Sequence, residues 1–62
     1  MGGMKEFASQ LARMVYWRKL TDNQIVGEFR NNPNAPDELW LRQQIQVVRA
    51  NPQIYKGMAG VS

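Results

Sequence analysis

Apolar residues recur along this chain at helical spacing. Met4, Phe7, Leu11 and Met14 follow one another at intervals of three, four and three, and Val15 joins them on the same side. That pattern is the apolar stripe of an amphipathic helix. At 100° per residue, Glu6, Gln10, Arg13 and Trp17 fall on the opposite side, so Trp17 is predicted to point away from the core. Arg18 rotates back onto the apolar side, which ends the predicted helix at residues 4–18.

A second helix, 22–31, is announced by its start signal. Thr21 and Gln24 have the spacing of a capping box, in which each side chain satisfies the other's backbone N–H. Leu20 and Ile25 can form the accompanying hydrophobic staple, and Asp22 sits where the helix dipole favours negative charge. Ile25, Val26 and Phe29 form a short apolar face. Gly27 either weakens this helix or permits a close helix–helix approach. Asn31-Asn32-Pro33 ends it, because the residue before proline disfavours helix.

The third segment, 36–50, carries the strongest helical pattern. Asn34 is the expected N-cap, with Pro36 and Asp37 in the first turn. Leu41, Ile45 and Val48 form its core line, widened by Trp40 and Val47, while Glu38, Arg42, Gln43, Gln46 and Arg49 take the polar side. Asn51-Pro52 then repeats a start signal for a short helix over 52–57, with Ile54, Tyr55 and Met58 folding back. No alternating pattern argues for a strand. The fold class is therefore all-α, a small bundle of three helices with a short fourth C-terminal helix. The domain spans residues 4–58, between a flexible start or expression scar (1–3) and a C-terminus (59–62) loosened by Gly57 and Gly60. The predicted core is Phe7, Leu11, Met14, Leu20, Ile25, Phe29, Leu41, Ile45, Val48 and Ile54.

At 62 residues the chain buries only about 60% of its unfolded surface, so its stability is small. It contains no cysteine and no histidine, which removes disulfides, thiolate sites and imidazole ligands. The five acids are scattered, so no metal site and no cofactor is expected. Catalysis lacks its commonest base and its thiol nucleophile. Thr21 is committed to capping, Ser9 lies on a helix surface and Ser62 is terminal. Adjacent Asp37 and Glu38 point about 100° apart on a helix, so they do not form an acid–base pair. The expected protein is not an enzyme and takes no small-molecule substrate.

The net charge of +3 raises the prospect of an acidic partner. Residues 1–20 hold Lys5, Arg13, Arg18 and Lys19 against Glu6 alone. Within them, Arg13, Tyr16, Trp17, Arg18 and Lys19 combine the aromatic and cationic residues that dominate protein interfaces. A regulator, adaptor or inhibitor that occupies a partner's surface, or pairs with a second copy, follows from that cluster. Trp40 is a second candidate anchor. The alternative is a nucleic-acid-binding domain with a helix-turn-helix-like pair, using Arg42, Gln43, Gln46 and Arg49 as the groove face. Against it, the connection Asn32-Pro33-Asn34-Ala35 has no glycine, and the reading helix would begin with phosphate-repelling Asp37 and Glu38. Helix 1 is amphipathic and basic, but a core-facing stripe explains its apolar residues, so a membrane role is not expected. Missing cysteines and the lack of a signal-peptide pattern point to an intracellular setting.

Overall fold

The structure, a computed structural model, describes the backbone of residues 3–61 and the side chains of residues 5–61. The predicted start at residues 1–2, the place of Met4 in the apolar stripe and the terminal Ser62 lie outside that description.

Among the described residues the chain forms four α-helices and no strand: α1 (Gly3–Ala12), α2 (Asp22–Arg30), α3 (Glu38–Ala50) and α4 (Pro52–Ala59). A π-helical segment, Arg13–Trp17, continues α1 without a break. α4 packs across α1 and the π segment, α2 packs against α3, and α3 also touches α1. The result is a slab of 32 × 28 × 17 Å.

Between the layers lie Leu11, Met14, Val15, Ile25, Val26, Phe29, Leu41, Ile45 and Val48, all buried. Phe7, Tyr16, Leu20, Ala35 and Tyr55 pack at the edges of this cluster. Ala12 is also fully buried, though its small side chain carried no signal in the pattern. Ile54 is not core: it is 61% exposed, and Tyr55, one position on, packs inward in its place. Val47 also faces solvent rather than widening the core arc.

The α2 start matches the sequence bond for bond. Thr21 N–H donates to Gln24 Oε1 at 2.8 Å, and Gln24 N–H donates to Thr21 Oγ1 at 3.1 Å. The start of α3 differs. Asp37, not Asn34, is the N-cap, accepting the Trp40 N–H at 3.2 Å. Asn34 is held earlier, where its N–H donates to Asn32 Oδ1 at 2.9 Å and Ala35 N–H closes the turn on Asn32 O. An Asx turn at Asn32 thus uses the residues that would have begun a longer helix. Pro36 then biases Ala35 away from helical geometry. Asn51 precedes α4 as expected, with Pro52 at its first position, but its side chain caps the other helix, donating from Nδ2 to Val47 O at 2.7 Å.

The pattern gives Gly27 a role in weakness or close approach and gives Gly57 and Gly60 one in loosening the C-terminus, but Gly60 instead caps α4. A Cβ added at Gly27 or Gly57 would meet nothing within 4 Å, so neither admits a close helix. Gly60 (φ +74°) closes α4, with Gly60 N–H donating to Gly57 O and Val61 N–H to Lys56 O. That pair of bonds is a Schellman cap, and it carries α4 to Ala59. Gly27→Ala is expected to stabilise the protein by about 1 kcal/mol, since it removes the helix-interior cost of glycine without meeting a neighbour. Thermal unfolding followed by circular dichroism should show a midpoint about 4–8 °C higher.

Candidate functional site

The residues singled out around Trp17 are positioned by the π segment. Here Arg18 N–H reaches back five residues to Arg13 O at 2.8 Å, and Leu20 N–H reaches Met14 O at 2.9 Å. A π turn holds more residues than an α turn, so each advances by less than 100°. The smaller advance keeps three consecutive residues, Met14, Val15 and Tyr16, against the protein. Lys19 terminates the segment in the left-handed region (φ 55°), a position usually taken by glycine.

The five residues of the cluster divide into two groups. Tyr16 is half-buried and its hydroxyl donates to Val48 O, tying the π segment to α3. Lys56 of α4 places its Nζ 5.8 Å from the Tyr16 ring centroid, within cation–π range. Arg18 donates from both Nη atoms to the two Glu28 carboxylate oxygens at 2.8 Å, tying the same turn to α2. This hydrogen bond, more than the charge of Arg18, holds the Glu28 carboxyl below its ordinary range; desolvation opposes it. The Arg18 guanidinium is raised by the same bond and by the charge of Glu28. Tyr16 and Arg18 therefore brace the turn. Arg13, Trp17 and Lys19 are exposed, Trp17 at 67%.

On α1 and the first residue of the π segment, an open depression of about 400 Å³ is lined by Lys5, Glu6, Ser9 and Arg13. Among the described residues, Lys5, Arg13, Lys19 and Lys56 take part in no ion pair. Lys5 is on α1, Arg13 opens the π segment, Lys19 lies two residues past its end and Lys56 is on α4. Another concavity, about 220 Å³ between Phe29, Ala35, Pro36 and Leu41, is smaller than the roughly 300 Å³ from which ligand pockets run.

On α3 the groove-reading candidates are engaged within the chain. Arg49 donates from Nε to Asp22 Oδ1 at 2.8 Å and from Nη2 to Leu20 O at 3.0 Å. Gln46 donates to Asp22 Oδ2 at 2.6 Å. Arg42 bonds Glu38 (3.2 Å) and Asn23 (3.1 Å), and Arg30 also reaches Glu38. These bonds clasp α3 to the start of α2. Gln43 alone of that set faces solvent with no side-chain hydrogen bond among the described residues. The cations of α3 do not form a free basic face, because Asp22 and Glu38 lie among them, and Glu28 takes up Arg18 at the end of the π segment.

No protein-family model, curated protein or solved structure matches this chain. Its function therefore has to be read from its own surface. Two surface residues escaped the pattern. Lys56 joins the Tyr16 side only because α4 folds back over the π turn, and Leu39, at 68% exposure, sits outside the core line of α3. The period of α3 does place Leu39 opposite Leu41 and Ile45, and that was the available signal. Among the described residues no helix is long and apolar enough to cross a membrane.

Proposed function

We propose that this chain is a non-catalytic protein-interaction module that docks Trp17 on a partner, with Arg13 and Lys19 meeting partner carboxylates. The observation that carries the reading is an indole two-thirds exposed on a turn braced from both sides, by Tyr16 to Val48 O and by Arg18 to Glu28. A large aromatic on a turn already fixed before binding leaves less backbone freedom to lose on docking, and tryptophan and arginine are enriched among interface hot spots. Charge supports the same reading. Arg13 and Lys19 flank this turn without an ion-pair partner among the described residues, whereas Glu28 is taken up by Arg18, and Asp22 and Glu38 by cations of α2 and α3. The segregated ion pairs on α3 weigh against the groove-binding alternative, since each phosphate contact there would first displace a carboxylate.

The test is a fluorescence anisotropy titration against a labelled pool of acidic peptides containing leucine and aromatic residues, with labelled mixed-sequence duplex DNA in parallel. Trp17→Ala is expected to weaken peptide binding by about 30-fold or more, the range of a hot-spot residue. Its thermal midpoint should stay within that of the parent, because an exposed indole contributes little to folding. A Trp17→Ala variant that unfolds would make the indole a structural residue. Duplex DNA bound in preference to peptide, with a steep loss in salt, would replace this reading with nucleic-acid binding.

A further inference from the structure

We infer that the outward face of α3 is a self-association surface, on which a second copy of this chain packs antiparallel about Gln43. The inference does not rest on the Trp17 surface. Leu39, Gln43 and Val47 follow at four-residue intervals and so form one row along the helix, and Ala50 closes it. Leu39 is 68% exposed and Val47 43%, with Trp40 on the flank at 38%. A helix row turned to water normally carries charge, yet this one has none. The three charged side chains of α3, Glu38, Arg42 and Arg49, all turn to the flank facing α2, where they bond Arg30, Asn23 and Asp22.

The choice of occupant follows from charge and symmetry. A two-fold contact sets each surface against itself. The molecule has a net charge of +3, and its cations without an ion pair among the described residues, Lys5, Arg13, Lys19 and Lys56, all lie outside α3, where each would repel its own copy across a two-fold contact. The α3 row meets its copy without that penalty. It is also symmetric about its middle: large apolar residues stand four positions to either side of Gln43. An antiparallel pair centred there sets Leu39 against Val47 of the second copy, and the two Gln43 amides against each other. An amide both donates and accepts, so it pairs with its own kind. The helix dipoles then oppose one another, which is favourable.

Area sets the strength. α3 is 13 residues, about 20 Å long, so a contact confined to its outward face is a single short helix pair. Stable interfaces bury about 1,200–2,000 Å², so this pair is weak and exchanging.

Sedimentation equilibrium over about 10 µM to 1 mM is the test, with circular dichroism to establish folding. The mean mass should rise from 7.2 kDa towards twice that value, and should rise further in higher salt as repulsion between the +3 protomers is screened. Gln43→Lys puts two cations on the two-fold axis and should weaken association at least tenfold; Leu39→Lys, a second exposed position, should do the same. Trp17→Ala should associate as the parent does. A mass of 7.2 kDa at every concentration overturns the inference, and so does undiminished association of both folded lysine variants. Loss of association in Trp17→Ala would overturn it too, by moving the self-interface to the π turn.

Discussion

Ile45→Ala should cost about 2–5 kcal/mol, the range for truncating a large aliphatic side chain in a packed core. Ile45 is fully buried, as are Leu11, Ile25 and Leu41 around it, so the lost atoms leave a cavity at the meeting point of α1, α2 and α3. A domain of this length has a total stability of about 3–9 kcal/mol, and the single substitution removes roughly half of it. No disulfide is present to limit the loss. Urea unfolding followed by circular dichroism should show the midpoint fall steeply with little change in slope. Leu39→Ala is the internal control. It truncates a side chain of similar size on the same helix, but one 68% exposed, and should change stability by no more than about 0.5 kcal/mol. Equal losses in the two variants would mean that α3 does not bury the face described here.

The second large effect is expected at Ala12, where the change is an addition. Ala12→Leu should destabilise by about 1–3 kcal/mol, because added methylenes in a filled site force side chains off their rotamers and helices apart. Ala12 is 0% exposed and lies at the join of α1 and the π segment, both of which α4 crosses. On an exposed helical surface the same exchange would be nearly neutral, since alanine and leucine are both strong helix formers. Amide hydrogen exchange should show protection lost first in α4 if the added side chain lifts that helix. A variant as stable as the parent would show that the site has slack.

These two positions differ in how visible they were. Ile45 stands in a run of apolar residues at helical spacing, and any helix with that run must bury it. Ala12 lies among polar and apolar neighbours alike, and its burial depends on the helices packed against α1. The same division runs through the site. Trp17 falls opposite the apolar stripe of its own helix, and it is exposed as that spacing implies. That Tyr16 and Arg18 brace the turn could not be read locally, because their partners Val48 and Glu28 are 32 and 10 residues away. The polar residues of α3 show the limit most plainly. Arg42, Gln46 and Arg49 read as a free polar face, but they are spent on Asp22, Asn23 and Glu38.

What the sequence by itself determined is the set of local decisions. The all-α class, the capping box at Thr21 and Gln24, proline at the first position of α4 and the inward line Leu41–Ile45–Val48 each depend on residues within a turn or two of one another. Periodicity, capping and proline geometry act over that range. Tertiary structure decided where several elements compete for one group. Asp37 rather than Asn34 caps α3, Tyr55 rather than Ile54 turns inward, the end of α1 widens to π register, and the cations of α3 and Arg18 are neutralised while Arg13 and Lys19 are not. Each of these outcomes is set by which distant side chain or carbonyl arrives within hydrogen-bonding or packing distance, and spacing along the chain carries no record of that.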